Sequence, residues 1–161
     1  MNEMRTWTAD ELGRFLEGAR EHRLAPLLTL LATTGLRCGE ALGLRWSDVD
    51  LGAGRLAVRQ TLLAVNNHLQ FGEPKTQRSR RTVDLDAATV AVLKAHRKAQ
   101  LEERAEAGLG RPRADGLIFT DEQGDPLHPN MVSRTFGKLV REARLPIIRL
   151  HDLRHSVREC T

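Results

Sequence analysis

The segment Thr34–Trp46, TGLRCGEALGLRW, marks the point where a buried helix is expected to end and an arginine follows at once. Upstream of it, leucines recur with the i, i+3, i+4 and i+7 spacing of one apolar helix face. Gly35 is typical of a left-handed helix C-cap. We therefore expect a helix over about residues 24–34, with Arg37 held beside a packed core.

The sequence on either side predicts a mainly α-helical fold with a small antiparallel β-sheet. Thr8 and Glu11 have the spacing of a capping box, which predicts a first helix over about residues 9–20. Between residues 55 and 85, apolar and polar residues alternate, which favours two or three short strands that carry a loop from Gly72 to Arg81.

Three further helical signals follow this strand region. Asp86 is typical of an N-cap and predicts a long helix through about Ala107. In that helix we expect some apolar residues to point inward (Val90, Leu93 and Leu101) and a polar face to be exposed (His96, Arg97, Lys98, Glu102, Glu103 and Arg104). The spacing of apolar residues from 132 to 143 predicts another helix, and His151–His155 stands at the start of a last one.

Length and composition indicate one domain, residues 1–161, of an ordinary globular protein. No apolar run approaches the roughly 20 residues of a membrane-spanning helix, and the N-terminus has no secretory signal. Two cysteines do not make a disulfide framework, so we expect a cytoplasmic protein. The net charge of +4 and the pI of about 9.7 favour a polyanionic partner, although a preference for arginine codons would give the same balance.

Three basic segments are candidates for chemistry, around Arg37, Lys75 and His151–His155. Taken singly, each has an ordinary explanation: an arginine bonded to helix-terminal carbonyls or to an acid, a solvated loop lysine, and the surface of a helix. His151 and His155 have the i, i+4 spacing of zinc ligands. No third ligand suggests itself, so we expect no metal site.

Taken together and in this order, the segments TGLRCGEALGLRW, PKTQRSRRTV and HDLRHS resemble the tyrosine recombinases, the phage-type integrases. The resemblance extends from about Thr8 to the HxxR motif. It implies the catalytic-domain fold of that family and site-specific DNA recombination or integration, through a 3′-phosphotyrosyl intermediate and without a cofactor. The implied partners are double-stranded DNA and other recombinase protomers in a synaptic complex.

The resemblance also implies a role for individual side chains. Arg37 and Arg154 match two arginines that stabilise the five-coordinate phosphorus transition state. Lys75 matches a general acid for the leaving 5′ oxygen, and His151 matches a histidine that bonds the phosphate or assists the nucleophile. The residues that match supporting positions are Glu40, Asp152 and His155.

The chain departs from the family pattern, because it contains no tyrosine and extends only seven residues beyond Arg154. We therefore expect a C-terminally incomplete catalytic domain without the N-terminal core-binding domain, unable to form the covalent intermediate alone. Whether it is an enzyme stays open on these grounds. The alternative hypothesis is a non-catalytic DNA-binding or interaction remnant of a mobile element.

Overall fold

The computed structural model describes residues 6–74, 80–111, 113 and 115–153. It confirms a mainly helical fold with small antiparallel sheets. The helices are α1 (Ala9–Gly18), α2 (Ala25–Thr34), α3 (Cys38–Leu42), α4 (Ala87–Glu106) and α5 (Pro129–Glu142). The strands are β1 (Val49–Asp50), β2 (Arg55–Ala57), β3 (Thr61–Val65), β4 (His68–Gly72) and β5 (Thr82–Asp84).

The described residues divide into two compact units. The first, which we call the terminal unit, combines the residues up to Cys38 with those from Asn130 onward. The second, the central unit, is Gly39–Pro129. That residues 1–161 form a single domain stays a prediction.

An aromatic cluster lies at the centre of the terminal unit. Trp7, Phe15 and Phe136 have ring centroids 4.9–5.9 Å apart, and each is 1% exposed. Nε1 of Trp7 donates a hydrogen bond to the carbonyl oxygen of Pro146 at 2.8 Å, so the indole is buried with its polar atom satisfied. The cluster thereby joins the two chain segments that make up this unit.

The two N-terminal helices have the predicted boundaries to within two residues. The capping box is formed, with Glu11 N donating to Thr8 Oγ1 and Thr8 N donating to the Glu11 carboxylate. α2 ends as predicted at Gly35, whose φ of 72° is left-handed and whose N–H donates to Leu31 O at 3.2 Å. A β-carbon would strain this conformation, which explains the glycine.

The described residues between 55 and 85 form four strands where two or three are expected from the sequence, and these strands belong to two sheets. β1, β2 and β5 form an antiparallel sheet in that spatial order, and β3 pairs with β4 as a hairpin. Asn66 and Asn67 turn the hairpin with φ values of 52° and 64°, which asparagine tolerates better than most residues. Alternation along the sequence indicated the strands, but it carries no information about which strands pair.

α4 begins after Asp86 as predicted, since the Asp86 carboxylate accepts a hydrogen bond from Thr89 N at 2.7 Å. The predicted buried and exposed faces of α4 were wrong at four positions. Leu101 is 38% exposed, while His96, Glu103 and Arg104 are half-buried. Nε2 of His96 lies 2.6 Å from Ile118 O. The buried stripe includes Gln100, whose amide donates to the carbonyls of residues 117 and 118. Polar side chains bury here because a loop supplies their partners, and an apolar pattern cannot show that.

α3 lies against the start of β3 with no room for side chains at two glycines. A β-carbon on Gly39 would stand 2.8 Å from Leu62 O, and one on Gly43 would stand 2.9 Å from Gln60 O. Both obstacles are backbone atoms, which cannot rotate away. The two glycines therefore set how closely α3 approaches the strand.

We predict that Gly43→Ala lowers the free energy of unfolding by about 1–3 kcal/mol, because the strand or the helix must shift to admit a methyl group. Gly13→Ala is the matched control, since a β-carbon there meets nothing within 4 Å and helix α1 gains a better helix former. Urea unfolding followed by circular dichroism measures both. Equal stability of the two variants would show that the close approach is not required.

Candidate functional site

Arg37 is presented by the turn that ends α2. The N–H of Leu36 donates to Thr34 Oγ1 at 3.3 Å, and the side chain of Leu36 is 2% exposed. Arg37 comes next, is exposed, and directly precedes α3. Burial of its neighbour thus fixes the backbone from which the guanidinium extends.

Arg37 and His151 line the same cavity, of about 150 Å³, within the terminal unit. Cys38 and Ser133 contribute polar groups to it. The remaining wall is apolar and consists of Leu31, Leu36 and Leu150. A guanidinium and an imidazole on one small concave surface can both donate to the oxygens of a single anion.

The thiol in this cavity does not compete with such an anion. Burial raises the pKa of Cys38 to about 11, since the charged form is disfavoured away from water. The sulfur therefore stays protonated at neutral pH. The positive charge of Arg37 is then not offset by a neighbouring thiolate.

His151 lies in a helical segment that begins at Leu150 and is helical through residue 153. The next residue, Asp152, is 3% exposed, and its Oδ2 accepts from the backbone N (3.2 Å) and Nε (3.2 Å) of Arg149. Nη2 of Arg149 donates to Oδ1 at 3.3 Å. Asp152 therefore fixes the start of the helix that carries His151, and the supporting role expected for it stays a prediction.

The charge of Asp152 is stabilised in the folded state. Burial alone would raise its pKa, but the hydrogen bonds and charge of Arg149, together with the charge of His151, lower the pKa overall. A carboxyl group with a lowered pKa stabilises the fold above its unfolded pKa, and this stabilisation is lost as the pH falls through the folded pKa.

Glu40 is buried in the central unit and forms an ion pair with Arg81, which the sequence had not singled out. Nη1 of Arg81 donates to Oε2 at 2.8 Å and Nη2 donates to Oε1 at 3.1 Å, while the Glu40 side chain is 5% exposed. These hydrogen bonds are the main reason that the pKa of Arg81 is raised. Arg81 belongs to an arginine-rich run, and no spacing rule distinguishes it from its neighbours.

Three of the residues predicted from the resemblance, Lys75, Arg154 and His155, lie outside the described residues, so their roles stay predictions. Within the described ranges, no three or more His, Cys, Asp or Glu side chains come together as a metal-binding group. Over the same part of the chain, no helix has the length and apolar character needed to cross a membrane.

We predict that Asp152→Asn lowers the free energy of unfolding by about 1–2 kcal/mol near pH 7, because the charge-assisted bonds from Arg149 are lost. Below the ordinary carboxyl pKa of 3.8, Asp152 of the unfolded wild-type chain binds a proton, and the folded carboxylate follows at its own lower pKa, so the difference shrinks as the pH falls through this range. Asp84→Asn is the control, since Asp84 is 89% exposed. If the unfolding free energies of wild type and Asp152→Asn differed by the same amount from about pH 7 to about pH 3, the carboxylate of Asp152 would not be the source of the stability.

Comparison with solved structures identifies the fold. The chain superimposes on the Tn1549 transposon integrase, solved in complex with transposon right-end DNA, with a TM-score of 0.83 and 21% identity. This match covers 98% of the chain and 53% of that structure. The XerA recombinase matches with a TM-score of 0.75 and 23% identity, over 98% and 50% of the two chains. The fold is that of the tyrosine recombinase catalytic domain.

The sequence identifies the family. Residues 5–159 match the model of the phage integrase family, and the chain belongs to that family. It is 32% identical to a XerC-like tyrosine recombinase of Caldanaerobacter subterraneus, over 96% of the chain and 42% of the relative. It is 30% identical to the ICEBs1 integrase of Bacillus subtilis, over 95% and 42% respectively. The chain thus spans less than half the length of these relatives.

Proposed function

We propose that this chain acts in site-specific DNA recombination of the tyrosine recombinase type, by holding the phosphate at which a DNA strand is cut and rejoined. The observation that carries the proposal is that Arg37 and His151 line one cavity. These are two of the residues expected at the reacting phosphate, and membership of the phage integrase family supports the assignment. The proposed partners are double-stranded DNA and further recombinase protomers, and the proposed location is the cytoplasm.

The chemistry follows from the charge that develops during strand cleavage. Attack on a phosphodiester builds negative charge on the non-bridging oxygens, and a fixed guanidinium such as that of Arg37 stabilises it. In this proposal His151 donates a hydrogen bond to the same phosphate or accepts the proton of the nucleophile. Arg154 supplies the second guanidinium, and Lys75 protonates the leaving 5′ oxygen. No cofactor takes part in these steps.

The nucleophilic hydroxyl is not among the groups that these residues supply. The sequence contains no tyrosine, so the phosphotyrosyl bond of the proposed reaction forms on a side chain from outside the 161 residues. The contribution proposed for this chain is phosphate binding, transition-state stabilisation and proton transfer to the leaving group. Binding of DNA therefore tests the proposal directly.

We predict that Arg37→Ala weakens binding of a duplex DNA by about tenfold, because a charge-assisted contact with a phosphate is lost. Arg37→Lys retains the charge and is expected to lose less. Arg20→Ala is the matched control: it removes the same charge from the terminal unit at a side chain that is 70% exposed. Fluorescence anisotropy of labelled duplex at fixed salt measures all three variants.

The control separates a positioned contact from net charge. A change of less than about twofold for Arg20→Ala, with the larger loss for Arg37→Ala, supports the phosphate site. Equal losses of DNA affinity in Arg37→Ala and Arg20→Ala would show that only the net charge of the protein affects binding. Absence of any salt-dependent binding by the wild-type chain would overturn the proposed function itself.

A further inference from the structure

A second concave surface lies entirely within the central unit and shares no residue with the Arg37–His151 cavity. It has a volume of about 450 Å³, and we call it the arginine groove. Its lining residues are Ala57, Val58, Arg59, Glu73, Arg80, Arg81 and Thr82. Three of them carry positive charge and one carries negative charge, so the groove is cationic.

Two of the three arginines are anchored by carboxylates that are buried in the protein. Arg81 is held by Glu40 through two hydrogen bonds, and 30% of its side chain is exposed. Nε of Arg59 lies 3.6 Å from Oδ1 of Asp48, whose side chain is 2% exposed, while 66% of the Arg59 side chain is exposed. A buried acid beneath an exposed guanidinium restricts where the cation can go and so lowers the entropy cost of binding an anion.

Asp48 is itself fixed in place. Its Oδ2 accepts from the backbone N of Arg45 at 3.0 Å and from Nε of Arg45 at 3.3 Å. The carboxylate therefore cannot swing out with Arg59 into solvent. The Nε of Arg59 is the atom that faces the Asp48 carboxylate. The two Nη groups of the same guanidinium lie beyond Nε on the side chain and can donate to a ligand.

The third arginine makes a pair that an anion can displace. Nη2 of Arg80 lies 2.9 Å from Oε2 of Glu73, with 55% and 81% of the two side chains exposed. Ion pairs this exposed contribute little stability and are screened by salt. A phosphate can take the place of Glu73 at small cost, and its charge can be shared by the neighbouring arginines.

The position of the groove in the sequence connects it to the proposed reaction. Glu73 and Arg80 stand on either side of the segment that contains Lys75, residues 74–79. The general acid proposed above therefore belongs to a segment that starts and ends at this groove. DNA held at the groove would be held next to the ends of that segment.

We propose that the arginine groove binds a backbone phosphate of double-stranded DNA, at a position other than the phosphate that is cut. The proposal rests on the proposed function, since it takes DNA as the ligand. The cations of the groove are three guanidinium groups, which suit the oxygens of a backbone phosphate, so in this proposal it binds the backbone and does not read the sequence. In this proposal the groove contributes affinity and fixes the position of the protein along the DNA, while the Arg37–His151 cavity holds the reacting phosphate.

The salt dependence of binding tests this, because each phosphate contact releases counterions. Arg59→Ala and Arg80→Ala are each expected to reduce the slope of log Kd against log salt by about 0.9, and to weaken binding similarly on duplexes of unrelated sequence. Arg59→Lys keeps the charge and is expected to retain most of the slope. The measurement is anisotropy of the 161-residue chain with labelled duplex over a range of salt concentrations.

Arg55→Ala is the matched control for these variants. Arg55 lies on β2, has a side chain that is 59% exposed, and has its Nε 4.0 Å from Asp84 Oδ1, but it does not line the groove. Its removal is expected to leave the slope within error of wild type. Circular dichroism of each variant checks that the fold is intact, and Arg59→Lys provides the comparison should Arg59→Ala unfold.

The outcomes distinguish this inference from the function on which it rests. If Arg59→Ala and Arg80→Ala have the same salt slope as Arg55→Ala, the groove does not bind a phosphate. If Arg37→Ala still binds DNA more weakly in that case, the proposed function stands. A wild-type chain without salt-dependent DNA binding would overturn both. Reduced slopes confined to the two groove variants and Arg37→Ala would support both.

Discussion

The left-handed turn at Gly35 is the constraint on which the site depends. It ends α2 while the helix is still packed against its core, and the next side chain, Leu36, is buried at once. Arg37 must then extend outward from a backbone that has little freedom. A long, flexible cation becomes useful for recognising a phosphate only when its base is held in this way, since the entropy cost of ordering it is already met by folding.

Buried carboxylates that hold arginines recur in both compact units. Arg45 with Asp48 and Arg149 with Asp152 make the same arrangement, in which an acid three residues later accepts both the backbone N and the Nε of the arginine. Each arrangement opens a short helical turn, the second of which carries His151. Burying an acid is costly unless its hydrogen bonds are satisfied, so each of these carboxylates defines one local geometry.

The sequence predicted the helices well because their signals are local. The capping box at Thr8, the cap at Asp86 and the glycine at position 35 each act within one turn of the chain, and each was found where expected. The partners of buried polar groups are not local. Neither the contact of His96 with a loop carbonyl nor the pairing of Glu40 with Arg81, 41 residues away, leaves a periodic trace.

The distinction between local signals and partners distant in sequence also applies to the candidate site. The order of the motifs points to Arg37 and His151, and the structure adds that they line one cavity with Cys38 and Ser133, to which the motifs assign no role. The arginine groove could not be read from the sequence either. Its members come from β2, β5 and the residues next to β2, β4 and β5, and arginine is common throughout this chain.

The most direct test of the central claim is a crystal structure of the chain bound to duplex DNA. We predict that the guanidinium of Arg37 and the imidazole of His151 lie within hydrogen-bonding distance, about 3 Å, of oxygens on one and the same phosphate. DNA bound at another surface, with these two side chains contacting no phosphate or contacting different ones, would contradict it.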